Sequence, residues 1–165
     1  MALCGESHDD VYAVRGELMT MGEPGNPSVM ARHLKDRLGS EYNFEISASL
    51  SDMINWLNAG EFLITHGWFT GSGHVIALRS VMPDMDTFGV KFEAWDPWSE
   101  FDFAEWRYPS EASEGFRGSY SALGIYAAAV VGESVDARSV YRYGETHLDR
   151  KGAWVHRIRA EAPKK

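Results

Sequence analysis

The chain has 165 residues, of which 44% are hydrophobic and 13% aromatic, enough apolar surface for one cored domain over 1–165 and too much for a disordered chain. A formal net charge of −8 speaks against a nucleic-acid backbone as partner, and a lone cysteine excludes an intrachain disulfide. No apolar run approaches the ~20 residues a bilayer span needs, and Asp9 and Asp10 break up the N-terminal region, so neither a membrane span nor a signal peptide is expected and the chain is read as cytoplasmic when made.

The first predicted helix runs from about Ser7 to Thr20. Val11, Val14, Leu18 and Met21 recur at helical spacing, and Glu6, Asp9 and Asp10 crowd the first turn, where negative charge suits the helix dipole. Cys4 stands at its N-terminal end. Seven residues before Val11 it shares the inward face, near the positive end of the dipole, a position that lowers a thiol's pKa. The bland alternative is a small buried hydrophobe.

Asn26-Pro27 reads as the cap and first residue of a second helix, whose stripe is Met30, Leu34 and Leu38 and whose stop is Gly39. His33 lies beside that stripe and is read as a satisfied or exposed histidine, not a ligand. A third helix has the clearest pattern, with Leu50, Met53, Ile54 and Leu57 at i, i+3, i+4 and i+7, Ser49 as cap and Gly60 just past its end.

Three strands follow. Phe62 to Thr65 and Val75 to Leu78 are apolar runs bounded by glycines, as strands buried on both faces are, and the third alternates Val90, Phe92 and Ala94 before ending at Asp96-Pro97. His74 opens the second of these strands. A hairpin through the turn between Leu78 and Val90 sets the start of one strand beside the end of the other, which makes His74 and Asp96 neighbours, an imidazole beside a carboxylate able to orient it. His66, at the end of the first strand, is a second imidazole near the site. It suggests a metal set with His74 and Asp96, but HExxH or paired-cysteine spacing is absent, and neither metal nor cofactor is expected.

Beyond Trp98 the segment through Gly118 is aromatic, acidic and rich in turn residues, and reads as a loop. Its rings, with Trp95 and Trp98 before them, either cap the open end of the sheet or wall a substrate cleft. Tyr120 to Val131 is a small-residue helix or a buried strand, its alanines favouring helix. The run from Ala153 to Ala160 alternates Trp154, His156 and Ile158 against Val155, Arg157 and Arg159 and reads as an edge strand of the same sheet.

Cys-Gly-x-Ser opening a helix (Cys4 to Ser7), a helix running into a glycine-led strand (WLNAGEFLIT), Gly-His opening the next (GSGHVIAL) and Asp-Pro closing a third (AWDPW) together resemble the papain-like cysteine peptidases. The closest group is the bacteriocin-processing, double-glycine type and its stand-alone relatives. The likeness covers roughly the first hundred residues. It implies an α+β fold with N-terminal helices packed on an antiparallel sheet, and a triad in which Cys4 attacks a carbonyl, His74 takes and returns the proton and Asp96 fixes the imidazole's tautomer. In the family a glutamine just before the cysteine completes the oxyanion hole. Here Met1, Ala2 and Leu3 stand before Cys4, so the second donor is sought among Ser7, His8, Asn43 and the Trp68 indole. Ser99 likewise stands where relatives often carry glycine.

The leading expectation is therefore a cysteine peptidase or amidase acting on peptide or murein-peptide bonds, as compact phage-encoded and wall-associated relatives do, with virion association as the accompanying expectation. Two alternatives stand beside it. One is an inert peptidase-fold module that partners other subunits of a larger assembly such as a phage tail; the other is a metal-dependent hydrolase built on His66 and His74.

Overall fold

The computed structural model describes residues 11–84, 89–109, 115–144 and 152–159. In chain order the helices are α1 (Val11–Met21), α2 (Pro27–Leu38), α3 (Leu50–Asn58), α4 (Ala122–Ala129) and α5 (Ser134–Tyr143). The strands are β1 (Tyr42–Ala48), β2 (Glu61–Gly67), β3 (His74–Asp84), β4 (Gly89–Asp96), β5 (Phe116–Ser121) and β6 (Ala153–Arg159). They form one six-stranded sheet in the order β1-β6-β2-β3-β4-β5, and every neighbouring pair is antiparallel. The architecture is α+β. Among the described residues no helix is long and apolar enough to cross a membrane.

Local chemistry explains the three N-terminal helices. The Asn26 side chain accepts the Ser28 N–H at 2.9 Å and Pro27 supplies a preset φ, so α2 starts there. Ser49 and Asp52 form a reciprocal capping box on α3, which presents Met53 and Leu57, both buried, to β2 and β3. Burying side chains of that size contributes about 1.5–3 kcal/mol each. Helix α1 packs on α2, and α2 on β1 and β6.

The sheet has two buried faces. On one, Leu63, Ile76, Leu78, Phe92, Ala94 and Val155 meet α3 and α4 in the main core; on the other, Phe44, Phe62, Ile64 and Ile158 meet α2 in a smaller one. Helix α5 is seated on α4.

Two expectations change here. The C-terminal strand is not an edge, because β6 lies between β1 and β2. Its arginine-bearing face is not turned to solvent. Arg157 makes a two-pronged ion pair with Glu61 (2.9 Å at both contacts), a third contact with Glu45 at 3.0 Å, and lies over the Trp56 ring, 4.1 Å from its centroid. One guanidinium thus ties β1, β2 and α3 to β6, which supplies the pairing an inner strand requires. The second change lies at Phe116 to Gly118, which open β5 instead of ending a loop; the chain then switches from strand to helix at Ser121, whose side chain accepts the Gly124 N–H and caps α4, the helix favoured for Tyr120 to Val131.

Candidate active site

The site forms at the end of the sheet where β2 and β4 finish and β3 and β6 begin. The β2–β3 connection is tight. Gly73 has φ 76°, its N–H bonds the Thr70 carbonyl at 3.1 Å, and the Thr70 hydroxyl bonds the Gly73 carbonyl at 2.9 Å, which fixes the residue before His74. On β4, the register Ala77↔Trp95 and Leu78↔Ala94, continued one step, puts Asp96 across from Ile76 on the same face as His74. The two side chains meet there, with His74 Nε2 at 2.8 Å from Asp96 Oδ1.

Asp96 is the most heavily hydrogen-bonded group of the site. Its side chain has 0% exposure, and besides His74 it accepts the Trp98 N–H at 2.9 Å on Oδ1 and the Tyr108 hydroxyl at 2.6 Å on Oδ2, while the Tyr120 hydroxyl shares its one proton between Oδ2 at 3.1 Å and the Ser99 carbonyl at 3.0 Å. Burial pushes its pKa up, but the hydrogen bonds from His74, Tyr108 and the Trp98 N–H outweigh it and hold the carboxyl below its ordinary value. The tyrosines respond in the opposite sense, since burial and the adjacent carboxylate raise both well above the usual phenol range. Tyr120 is itself fixed by accepting the Phe101 N–H at 2.7 Å.

An ionised Asp96 bonded to Nε2 selects the imidazole tautomer with its proton on that nitrogen. That leaves the Nδ1 lone pair of His74 as the basic atom. The ring is flanked by Phe69, Trp98 and Tyr108, the last two stacked on each other with centroids 5.6 Å apart.

The aromatic segment after Trp98 therefore divides between its two expected roles. Asp102 accepts the N–H groups of Ala104 and Glu105 and bridges to Arg107, and this turn sends Phe101, Phe103 and Trp106 into the core. Trp98, 46% exposed, and Tyr108 instead wall the imidazole.

A pocket of about 440 Å³ wraps the turn end of the β2–β3 hairpin, lined by His74 on one side, His66 and Trp154 on the other, and Trp68 and Ala129 between. Of the sequence-expected residues, His74 and Asp96 are brought together, while Cys4, Ser7 and His8 lie outside the described residues. Among the candidate oxyanion donors Trp68 lines the pocket; Asn43 is exposed on β1 and does not.

His66 does not join His74 and Asp96. In the register it faces Val75, and Gly67 faces His74, so the two histidines project from opposite faces of the sheet. Among the described residues no group of three or more histidine, cysteine, aspartate or glutamate side chains is arranged to hold a metal ion. The partner of His66 is His156, Nε2 to Nε2 at 2.8 Å, and His156 in turn bonds the Tyr42 hydroxyl through Nδ1 at 2.7 Å.

The sequence reading missed His156 and both tyrosines that hold Asp96. Tyr120 had a readable signal, two residues after Gly118 in an alternating run, while Tyr108 sits in irregular backbone where no periodicity marks it. No family model, curated protein or solved structure matches the chain.

Proposed function

We propose that the chain is a cysteine peptidase or amidase of papain-like type, with Cys4 as nucleophile, His74 as general base and acid and Asp96 as the group that orients it, acting on peptide or murein-peptide bonds. The observation that supports this most is the buried, four-fold hydrogen-bonded Asp96 carboxylate at 2.8 Å from His74 Nε2. A carboxylate so held does not wander from the imidazole, and the imidazole so oriented keeps one nitrogen free for a thiol.

In the proposed reaction, His74 Nδ1 takes the Cys4 thiol proton as sulfur bonds to the carbonyl carbon. The proton is then delivered to the leaving amine as the C–N bond breaks, and water, deprotonated by the same nitrogen, displaces sulfur to release the acid. The Cys4 backbone N–H and the Trp68 indole are the oxyanion donors this reading favours.

Iodoacetamide labelling tests it first. A Cys4 paired with His74 has a pKa well below the ~8.5 of a free thiol, so it should label fast at pH 6 and His74→Ala should slow it sharply. Cleavage of murein or of a peptide library should vanish in Cys4→Ala. Slow labelling, unchanged by the His74 substitution, with no Cys4-dependent cleavage, would overturn the proposal.

A further inference from the structure

The histidine that stands apart from His74 has a role of its own, fixed by the direction of its hydrogen bonds. Tyr42 is 3% exposed, and the only acceptor its hydroxyl meets among the described residues is His156 Nδ1 at 2.7 Å. Were the hydroxyl to accept there, its own proton would be buried without a partner, at a cost of about 1–3 kcal/mol. Tyr42 therefore donates, and His156, neutral with a lone pair on Nδ1, carries its proton on Nε2. That proton goes to His66 Nε2 at 2.8 Å. His66 Nε2 is then an acceptor, and the ring's one proton sits on Nδ1.

Neutrality of both rings is consistent with burial, which lowers His156 to about 3 and His66 to about 4. His66 Nδ1 meets no partner among the described residues. The buried side-chain nitrogens or oxygens lacking one there are the indole N–H groups of Trp95 and Trp106, so the His66 N–H is not sealed inside, and His66 lines the pocket. Among the described residues no lysine, arginine, aspartate or glutamate lines that pocket, whereas Gly25, Gly67, Gly73, Gly132 and Gly152 do. A neutral donor among described lining residues that carry no charge and are rich in glycine suits a neutral acceptor, because an anion would lose its hydration with no cation among them to replace it.

We infer that His66 is a substrate-anchoring residue whose Nδ1–H, held in that tautomer by His156 and Tyr42, hydrogen-bonds a carbonyl oxygen of a peptide that runs across the pocket to His74. This rests on the peptide reading of the site, and adds a second contact that faces the ligand from the other side of the hairpin.

Two substitutions separate anchoring from a structural role, since an asparagine amide nitrogen overlays the Nδ1 position and a glutamine side chain the Nε2 position. The test uses full-length Cys4→Ala protein, which cannot turn over, titrated with a pool of acetylated tripeptide amides. Long-range ¹H–¹⁵N spectra should find His66 as the Nδ1–H tautomer and His156 as Nε2–H, and the peptides should shift the His66 Nδ1 resonance. His66→Asn should bind within about threefold of the parent and His66→Gln at least about tenfold more weakly.

An Nε2–H tautomer at His66, an Nδ1 resonance that the peptides leave unmoved, or equal loss in the two variants would overturn the inference. If peptides bind as expected while the protein with Cys4 intact cleaves nothing, the peptidase reading falls and the anchoring role stands.

Discussion

The two faces of the sheet each carry a histidine held from behind, and they are held by opposite means. On the α3/α4 face, His74 is backed by a carboxylate that gathers four donors, so a full charge sits buried at the site. On the α2 face, His66 is backed by His156 and Tyr42, a chain of neutral groups in which each donates to the next. A buried charge stabilises a cation that forms beside it, whereas a neutral chain only fixes where protons sit. The first arrangement suits a ring that must accept a proton during a reaction. The second suits a ring that must not.

The sharpest way to break this contrast is to remove the charge. Asp96→Ala leaves the Tyr108 hydroxyl and His74 without their partner, and should lower unfolding free energy in urea by about 3–5 kcal/mol, the range for stripping one member from a buried ionic cluster. Asp96→Asn keeps an acceptor and should cost less, yet slow Cys4 labelling nearly as much as His74→Ala does. An Asp96→Asn variant as stable as the parent would mean that the charge contributes nothing beyond its shape.

Acid separates the faces by pH window. His66 and His156, at about 4 and 3 when folded, take up protons in the unfolded chain from about 6.5 downward. Because the unfolded state binds more protons between those values, stability should fall as pH drops from 6.5 to 4, by up to about 1.4 kcal/mol per pH unit for each ring. The Asp96 contribution has the same sign but lies lower on the pH scale. Its folded pKa lies below the unfolded value of 3.8, so the stability it confers is intact above 3.8 and is lost as pH falls through the lowered folded value. Thermal melts of the parent and of a His66→Leu/His156→Leu variant should therefore diverge between pH 6.5 and 4, and a parallel pair of curves would contradict the neutral state assigned to that chain.

The smallest effect concerns coupling within the neutral chain. Tyr42→Phe alone should cost about 1 kcal/mol, the net worth of one neutral hydrogen bond, and close to zero in a His156→Leu background. Additive losses would show that the Tyr42 hydroxyl acts independently of His156.

How much of this was legible in the sequence follows from which forces are local. Caps and stripes are, so Asn26-Pro27, the Ser49 capping box and the Met53/Leu57 face were readable, as was the pairing of His74 with Asp96, which needs one hairpin. Strand order is not local. Arg157 looks like a solvent residue until Glu45, Glu61 and Trp56 are brought round it from two strands and a helix, and that made β6 read as an edge. Strand β1 was legible in principle, since Tyr42, Phe44 and Ile46 alternate, but the sequence reading did not assign it. His156 was visible only as a residue in an alternating run, and its function depends on Tyr42 and His66, 114 and 90 residues away.

The position of β6 also sets an order of assembly during synthesis. Strands β1 and β2 lie in the first half of the chain but share no ladder with each other, and each must wait for residues 153–159 to fill the gap between them. A ribosome-bound chain lacking that segment exposes one unpaired strand border on β1 and another on β2, the condition in which nascent chains pair with the wrong partner. The same late strand brings His156, so the pocket acquires its anchoring histidine geometry in the step that closes the sheet, and a nascent chain cannot hold substrate across that pocket before the fold around it is complete.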